Sequence, residues 1–371
     1  MRNYGKCFAE NLRRQRQKLG LTQRQLADAV GFSEKTVSKW EREASIPDIS
    51  TLFRLCELLH MSFERLFSDD DEICFLGIDG GGTKTELALA DREGKILTSI
   101  RVDCCNPIDI GIDSAEEILR PAIEKLCEGR RMASIIAFAG IAGGTSADMR
   151  PKLTGFFADF GFRAFEVDSD NMNILAAGLG DGDGITLILG TGICSYSKFE
   201  GKIERVAGWG YLIDDGGSAY NIGRDGLAAV FRVLDGSGEK TLLTDEAERI
   251  FPDGIQRLLG RIYNERKKLV ASFAPAVFRA AAAHDSVAEG ILRSNMAFAA
   301  KVIETSGKRF PDGARIPVIL AGGLTNEELT PGYLKAALGD SGRYDLRILD
   351  RAPVNGAVTL AMKIFEKENG K

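Results

Sequence analysis

Histidine is scarce in this chain of 371 residues, which contains only His60 and His284. Two imidazoles leave little scope for a histidine-based zinc site or a Ser-His-Asp triad. The seven cysteines are odd in number and lack metal-ligand spacing, which is typical of reduced cytosolic thiols. No apolar run approaches the roughly 20 residues of a membrane span, and the first residues carry no signal-peptide core. We therefore expect a cytoplasmic protein with no membrane partner.

The charge is unevenly distributed along a chain whose net charge is −5. Residues 1–68 hold 12 Lys and Arg against 8 Asp and Glu, whereas residues 69–371 hold 36 against 45. A basic segment ahead of an acidic body indicates a nucleic-acid-facing head. With 44% hydrophobic residues, the length predicts two or three domains with real cores.

Consecutive glycines separate two apolar runs in the segment 75–90. Asp79 ends the first run, Gly80, Gly81 and Gly82 follow, and the second run resumes after Thr83 and Lys84. This pattern predicts a strand, a tight turn and a returning strand whose bare amides could close around phosphate oxygens. It is neither a Walker A loop nor a dinucleotide motif opening a helix. An ordinary glycine-rich hairpin is the alternative interpretation.

Two later segments repeat the theme of glycine at the end of an apolar strand. The run 185–189 leads into Gly190-Thr191-Gly192 and returns as a second strand, and the run 316–321 leads into Gly322-Gly323. Two similar hairpins just over a hundred residues apart predict duplicated half-domains. Three such turns at strand ends are what a nucleotide bound in a cleft requires.

The order of these motifs resembles the BadF/BadG/BcrA/BcrD ATPase family, and within it the N-acetylglucosamine kinases. The resemblance covers residues 73–365 and depends on Asp79–Thr85, Asp170, Gly190–Gly192, Gly208-Trp209-Gly210, Gly217–Tyr220 and Ala321–Gly323. It implies an α/β body of duplicated RNase-H-like domains, as in actin and hexokinase, with ATP in the cleft. We expect the first lobe at 74–180, the second at 181–371, and a helical insertion around 234–300.

The head, residues 1–68, is predicted to be all-α with five short helices, followed by an acidic linker at 69–73. Gly31 separates two short helices that Thr22 and Ser33 are placed to cap, which is a helix-turn-helix pattern. The string from Leu21 to Glu43 resembles the XRE (Cro/C1-type) repressor family. The resemblance implies binding to a double-stranded DNA operator, and a small protein-interaction module is the alternative.

The second helix of that motif would enter the major groove while Val37 and Trp40 face inward. One head makes a small footprint, so we expect a homodimer that reads two half-sites and is held together by the body. The residues predicted to contact DNA are Gln23, Ser33, Glu34, Lys35, Thr36, Ser38 and Lys39.

Phosphoryl transfer requires positioned phosphates, a metal ion and a base. Mg²⁺ uses one or two carboxylates plus the phosphates, and Asp79, at the end of the first strand, is the candidate. By resemblance, the last glycine pair lies against the adenosine. The predicted ATP-binding residues are Gly81, Gly82, Thr83, Lys84, Gly190, Thr191, Gly192, Gly322 and Gly323.

The base should be a carboxylate between a buried strand and a helix, and the segment 165–170 offers Asp168 and Asp170. By resemblance, Asp170 is the catalytic base and also touches the sugar, with Asp168 as the fallback. The alternative is that Asp170 only caps the helix that follows.

Sugar recognition is carried over by resemblance alone, and it implies contacts from Asn106, Gly143, Gly144, Gly208 and Asp215. The chain departs from the family where members read Gly-Asp-Glu-Gly-Ser. The glutamate position is Gly216 here, and Asp214 is a possible substitute. This departure leaves the identity of the sugar open.

Three functions follow from these patterns. The leading one is an ATP- and Mg²⁺-dependent kinase that phosphorylates N-acetylglucosamine or a related amino sugar on the 6-hydroxyl and is fused to a DNA-binding head. The alternative is a sugar-responsive transcriptional regulator with little or no catalysis. The third is an activating ATPase of radical dehydratases, which would bind an iron–sulfur cluster through body cysteines; the candidates are Cys104, Cys105, Cys127 and Cys194.

Overall fold

A computed structural model of the protein describes residues 4–67, 73–146, 148–339 and 342–370. The chain divides into two compact units, Met1–Cys74 and Phe75–Lys371, here called the head and the body. Of the predicted acidic linker, residues 69–72 lie outside the described residues. Its last residue, Ile73, is buried.

The head consists of five helices around one apolar core. Thr22 caps the second helix with a capping box, and Gly31 ends it in the left-handed conformation with φ 79°. Ser33 caps the third helix by accepting a hydrogen bond from the Thr36 amide. Buried Val37 and Trp40 anchor that helix on the core. The helices are α1 (Tyr4–Lys18), α2 (Gln23–Val30), α3 (Glu34–Trp40), α4 (Ile49–Leu58) and α5 (Phe63–Leu66).

A first five-stranded sheet opens the body, in the order β3-β2-β1-β4-β5. The β1/β2 and β2/β3 pairs are antiparallel, and β4/β5 is parallel. Its strands are β1 (Cys74–Gly80), β2 (Lys84–Ala90), β3 (Ile96–Asp103), β4 (Ile135–Ile141) and β5 (Ala164–Asp168).

A second sheet repeats this order as β8-β7-β6-β9-β10. The β6/β7 and β7/β8 pairs are antiparallel, and the β6/β9 and β9/β10 pairs are parallel. The predicted duplication is therefore confirmed in the topology of the sheets. The strands are β6 (Gly184–Leu189), β7 (Ile193–Phe199), β8 (Lys202–Ala207), β9 (Ile316–Ala321) and β10 (Tyr344–Ile348).

Helices connect the strands of both sheets. Those after the first sheet's strands are α6 (Pro107–Ile110), α7 (Ile112–Leu126), α8 (Met149–Ala158) and α9 (Asp170–Leu179). Between β8 and β9 the chain forms α10 (Ala219–Leu234), α11 (Leu243–Ile250), α12 (Ile255–Ala271), α13 (Ala274–Ala282) and α14 (Ser286–Gly307). The last two are α15 (Thr330–Leu338) and α16 (Pro353–Glu368).

The helical region between β8 and β9 is longer than the predicted insertion at 234–300, because it begins at Ala219 and continues to Gly307. Its apolar faces form one core with the second sheet, in which Phe273, Val277 and Leu292 are buried. Among the described helices, none is long and apolar enough to cross a membrane.

The last helix does not stay with the second lobe, although residues 181–371 were expected to form that lobe alone. Helix α16 packs on α9 and on β2, β4 and β5 of the first sheet. The physical reason is close backbone packing. A Cβ at Gly356 would overlap Asn173 O on α9, and a Cβ at Gly77 on β1 would lie 2.6 Å from Val358 N. Small residues on α16 thus bring the chain end back to the first sheet.

Candidate active site

Asp79 lies at the C-terminal end of β1, just before the glycine turn. Its Oδ1 accepts a hydrogen bond of 2.8 Å from Asn173 Nδ2. Burial raises the pKa of the Asp79 carboxyl to about 7, the Asn173 hydrogen bond acts in the opposite direction, and the charge of Asp170 adds to the rise. A carboxylate with this tendency to hold a proton gains from a cation placed beside it.

Asp170 is the first residue of α9, and the cap of that helix is Ser169. Ser169 Oγ accepts from the Asn171 amide at 3.3 Å and donates to Asp170 Oδ1 at 3.1 Å. The alternative that Asp170 only caps the helix is therefore wrong. Burial raises the pKa of Asp170 to about 6, against hydrogen bonds that lower it. This places the carboxyl in the range in which a general base works near neutral pH.

Asp168, the fallback base, is bound to other groups. Its Oδ2 accepts from Arg150 Nη2 at 2.6 Å, and its Oδ1 accepts from the Ser169 amide at 2.7 Å. Arg150 also donates to Val167 O from two of its nitrogens. Both oxygens of Asp168 are therefore engaged by neighbouring donors, unlike the carboxyl of Asp170, which no arginine among the described residues contacts.

The first glycine turn joins β1 to β2. The Gly81 amide, which was predicted to hold a phosphate, donates to Lys84 O at 3.0 Å and closes the hairpin. Thr83 and Lys84 are exposed, and Gly82 has open space around its missing Cβ. The turn therefore offers Gly82, Thr83 and the Lys84 side chain to a ligand.

The second turn is closed in the same way, since the Gly190 amide donates to Gly192 O at 3.0 Å. Gly322 packs against it. Its φ is +99°, and a Cβ there would lie 2.6 Å from Leu189 O and 3.0 Å from Gly190 N. The predicted phosphate turn and the predicted adenosine glycines therefore lie together, with Gly323 exposed beside them and Thr191 half-buried.

The predicted sugar residues of the first half lie side by side. Asn106 caps α6, where its Oδ1 accepts from the Ile108 amide at 3.0 Å. Gly143, with φ +72°, packs on this side chain, because a Cβ there would overlap Asn106 Oδ1. Gly144 follows in the same turn, where its amide donates to Ile141 O. The Cys104 thiol links this corner to the first turn by contacting Gly81 O at 3.5 Å.

The loop after β8 carries the predicted Gly208 and Asp215. Asp215 is exposed, whereas Asp214 is buried and its Oδ2 accepts from the Gly210 amide at 3.0 Å. Asp215, the aspartate of the family motif, thus points outward, whereas Asp214 stabilises the turn of the loop. Trp209 is 68% exposed, with the Arg205 guanidinium 4.2 Å from its ring centroid.

Gly216 occupies the position at which the family motif has glutamate. A Cβ there would lie 3.0 Å from Phe298 Cβ and 3.2 Å from Phe298 Cγ. Gly217 donates from its amide to Asn295 Oδ1 at 2.9 Å. Glycine therefore lets the loop pack on α14, where a longer side chain would have to displace a phenylalanine.

Cys194, on β7, lies against the loop that follows β8. Gly208 packs on its thiol, since a Cβ at Gly208 would lie 2.5 Å from Cys194 Sγ. Burial raises the pKa of this thiol to about 12, and the charges of Asp170 and Asp214 contribute to the rise. Cys194 therefore lies in the negative field of both aspartates.

Two further thiols, Cys104 and Cys105, lie at the corner between the predicted sugar residues and the first turn. Cys104 and Cys105 are buried, and burial raises the pKa of Cys105 to about 12. The Cys105 amide donates to Thr85 Oγ1 at 3.2 Å, which fixes the chain between β3 and Asn106. A buried neutral thiol is a poor metal ligand and a poor redox centre. These cysteines therefore pack the corner between the sugar residues and the first turn.

No group of three or more His, Cys, Asp or Glu side chains in the described parts of the chain could hold a metal ion alone. Mg²⁺ takes one or two carboxylates and completes its shell with water and phosphate oxygens, so a single carboxylate can serve it. Asp79 supplies such a carboxylate, and the described residues leave its Oδ2 without a hydrogen-bond donor. The residues present thus fit a phosphate-bound magnesium ion.

In the head, most of the predicted DNA contacts are accessible. Ser33, Glu34, Lys35 and Lys39 are exposed, and Thr36 and Ser38 are half-buried. Gln23 differs from the prediction, because its amide nitrogen donates to Glu41 Oε2 at 2.7 Å. Glu41 also accepts two hydrogen bonds from Arg16, at 2.5 and 3.0 Å. The Gln23 amide therefore belongs to a network inside the head.

Asn173 was not predicted. It lies three residues after Asp170, on α9, and its side chain contacts Asp79. The available signal was the spacing, because residues i and i+3 share one helix face. The partner of that face, 94 positions earlier in the chain, could not be inferred from spacing.

Both units of the chain match known protein families. A family model for the BadF/BadG/BcrA/BcrD ATPase family matches residues 76–361, and a helix-turn-helix model matches residues 12–66. The N-acetylmuramic acid/N-acetylglucosamine kinase of Clostridium acetobutylicum is 30% identical over 229 residues, which cover 59% of this chain and 74% of that protein.

Two further relatives agree with this division. A helix-turn-helix transcriptional regulator of Sinorhizobium fredii is 34% identical over 70 residues, covering 19% of this chain and 91% of that protein. A solved structure of a candidate N-acetylglucosamine kinase from Chromobacterium violaceum matches with a TM-score of 0.65 at 22% identity, covering 78% of this chain and 99% of that one. The body thus shares the fold of that structure. The chain belongs to the BadF/BadG/BcrA/BcrD ATPase family and carries a helix-turn-helix unit ahead of its ATPase body.

Proposed function

We propose that the body is an ATP-dependent kinase that transfers phosphate to N-acetylglucosamine or a related amino sugar, on the 6-hydroxyl. The observation that carries the proposal is the pair of carboxylates in the first half of the body, Asp79 before the first glycine turn and Asp170 at the start of α9. Relatives named as kinases of N-acetylglucosamine and N-acetylmuramic acid support this substrate class.

In this proposal Asp170 accepts the proton of the attacking sugar hydroxyl, and its raised pKa keeps it a competent acceptor near neutral pH. Asn106 and the turn at Gly143 and Gly144 hold the ring. The amides of Gly82 and Thr83, with the Lys84 ammonium, hold the terminal phosphates, and Thr191 and Gly192 approach from the second half. Gly322 and Gly323 form the wall beside the nucleoside.

Asp79 would hold the magnesium ion, which when bound neutralises charge on the phosphates. The carboxylate is kept in place by Asn173, and its burial disfavours an isolated negative charge. The phosphates and the ion would therefore be gathered at the end of β1, beside Asn173, which lies one helical turn after the base.

The experiment is ADP release by the purified protein with Mg²⁺ and ATP across a panel of amino sugars and plain hexoses. Turnover with one amino sugar, lost in Asp170→Asn, would support the kinase and name its substrate. No turnover with any sugar, despite saturable sugar binding, would overturn the proposal.

That second outcome would favour a sugar-responsive regulator with little or no catalysis. The observation on its side is the exposed Asp215, together with Gly216 in place of the family's glutamate. Sugar binding to such a body would act by shifting an equilibrium between two states of the protein.

We propose that the head binds double-stranded DNA through α3, as a homodimer. Selection from random duplexes would supply the operator, and Lys35→Ala and Lys39→Ala should each weaken binding and reduce the salt slope by about 1. Arg54→Ala, on α4, is the matched control. An unchanged salt slope in both lysine variants would contradict this assignment, and sedimentation of the full chain would test the dimer.

A further inference from the structure

Asn173 is fully buried where α9 crosses the ends of β1 and β4. Its amide nitrogen lies 2.8 Å from Asp79 Oδ1, 3.2 Å from Ile78 O and 3.3 Å from Gly140 O. Three acceptors around one end of the amide determine its orientation, because a carbonyl oxygen there would face three other oxygens. The Asn173 side chain thus ties two strand ends and a carboxylate to one helix.

The surroundings of Asn173 leave it little freedom. A Cβ at Gly140 would lie 2.5 Å from Asn173 Cγ, so glycine at 140 makes room for this amide. On the other side of the helix, Gly356 lets α16 approach the Asn173 backbone. Asn173 Oδ1 is buried and has no hydrogen-bond partner in the described structure. A buried oxygen without a hydrogen bond costs free energy of folding. The structure carries this cost at Asn173 Oδ1 while the amide nitrogen of the same side chain contacts Asp79.

Asn173 also stands one helical turn after Asp170, on the same helix. The carboxylate proposed to hold the metal and the carboxylate proposed to accept the proton are therefore connected through a single turn of α9. A shift of this turn would move both groups at once. Small displacements of reacting groups have large effects on rate, because the reaction needs a narrow range of geometries.

We propose that Asn173 is a positioning residue that holds the Asp79 carboxylate in the orientation needed to bind a nucleotide-associated magnesium ion. It also keeps this carboxylate at a fixed position relative to Asp170. This inference depends on the proposed kinase site. The amide donates to Oδ1, and no described residue donates to Oδ2. Without the amide, the Asp79 side chain is free to rotate, and the ion loses a preorganised ligand while the phosphate-binding turn remains.

The test is calorimetric titration of the full chain with a non-hydrolysable ATP analogue, once with Mg²⁺ and once with EDTA. The ratio of the two affinities measures the metal contribution, and the fraction of folded protein cancels from it. We expect the wild-type ratio to be about tenfold or more. In Asn173→Ala it should fall at least threefold, while the affinity in EDTA stays within about twofold.

Gly140→Ala provides a second route to the same state, because its methyl group would push the Asn173 amide away without removing it. It should lower the ratio in the same direction. Asn295→Ala is the matched control, since Asn295 is equally buried but bonds Gly217 and Asp225 in the second half. Its ratio should equal that of the wild type.

The kinetic companion is a split between kcat and KM. Asn173→Ala should lower kcat at least tenfold and leave the KM for sugar within about threefold, because Asn106 and the Gly143 turn are untouched. An unchanged affinity ratio in both Asn173→Ala and Gly140→Ala overturns the positioning role. A wild-type protein that binds the analogue equally with and without Mg²⁺ overturns the proposed metal site itself.

Discussion

The two halves of the body share one strand order but differ in chemistry. In the first half, the strand before the glycine turn ends in Asp79-Gly80; in the second, the corresponding strand ends in Ile188-Leu189. Helix α9 begins at Asp170, whereas α16 begins at Pro353. Both turns are closed by the amide of their first glycine. The duplicated backbone therefore supplies two similar cradles, and the first half alone carries the two carboxylates at these positions.

The largest expected effect comes from removing the base of the first half. Asp170→Asn should lower kcat by about 10² to 10⁴, since this is the typical contribution of general-base catalysis, and it should leave the sugar affinity within a few-fold. The measurement is steady-state kinetics beside calorimetric sugar binding. Asp168→Asn is the control. Because Asp168 is paired with Arg150, this variant should retain most of the wild-type activity. Equal losses in both variants would contradict the assignment of the base.

Substitutions in the second half should change stability and nucleotide affinity rather than kcat. In Gly322→Ala the new Cβ would lie 2.6 Å from Leu189 O at a φ of +99°, which should cost about 1 to 3 kcal/mol of the free energy of unfolding. Gly323→Ala, with open space at its Cβ, should cost little. Denaturant titration of the two variants checks the difference, and equal stabilities would show that the close approach is not real.

The pH dependence should also come from the first half. Because the base acts only when ionised and burial raises the pKa of Asp170 to about 6, kcat should fall about tenfold per unit below pH 6. A profile that stays flat down to pH 5 would contradict this.

Stability should move in the opposite direction with pH. Burial raises the folded-state pKa of Asp79 to about 7 and that of Asp170 to about 6, from the ordinary aspartate value of 3.8. The folded protein therefore binds more protons between these values, so the two groups favour folding below about pH 4 and lose this contribution as pH rises through 6 to 7. Asp170→Asn should flatten this decline, as measured by melting temperatures across the pH range.

The smallest effect compares the two turns directly. Thr83→Ala should lower kcat and Thr191→Ala should weaken ATP binding, each by about two- to tenfold, as expected for the loss of one hydrogen bond. Thr83 lies beside Asp79, and Thr191 lies in the turn against Gly322. Measuring kcat and the KM for ATP in both alanine variants would reveal whether the first turn affects turnover and the second affects ATP binding.

Much of the fold was predictable because its signals are local. Glycine between two apolar runs indicated both hairpins, and Thr22, Gly31 and Ser33 marked the helix ends of the head where the structure has them. The return of α16 to the first sheet was not predictable. It depends on Gly356 meeting Asn173, two residues far apart in the chain that are brought together by packing.

The candidate site divides in the same way. Asp79 was predicted from its position at a strand end, and Asp170 from its position together with the resemblance. The outward placement of Asp215 and the buried role of Asp214 were not predicted. Asp214 and Asp215 are adjacent in the sequence, so local pattern cannot tell which of them is buried. The packing of their loop on α14 decides it. Gln23 and Gly81 differ from the predicted free donors for a related reason, since each donates to a partner within the fold.

The amino-acid sequence by itself determined the two units, the two glycine hairpins and the carboxylates at the ends of their elements, because turn chemistry and hydrophobic pattern act over a few residues. Tertiary structure alone decided which amides remain free, which aspartate is buried and which amide holds Asp79. Those properties depend on burial and on hydrogen bonds between distant residues, such as Asn173 and Asp79, which are 94 positions apart. Local pattern carries no information about contacts across such a distance.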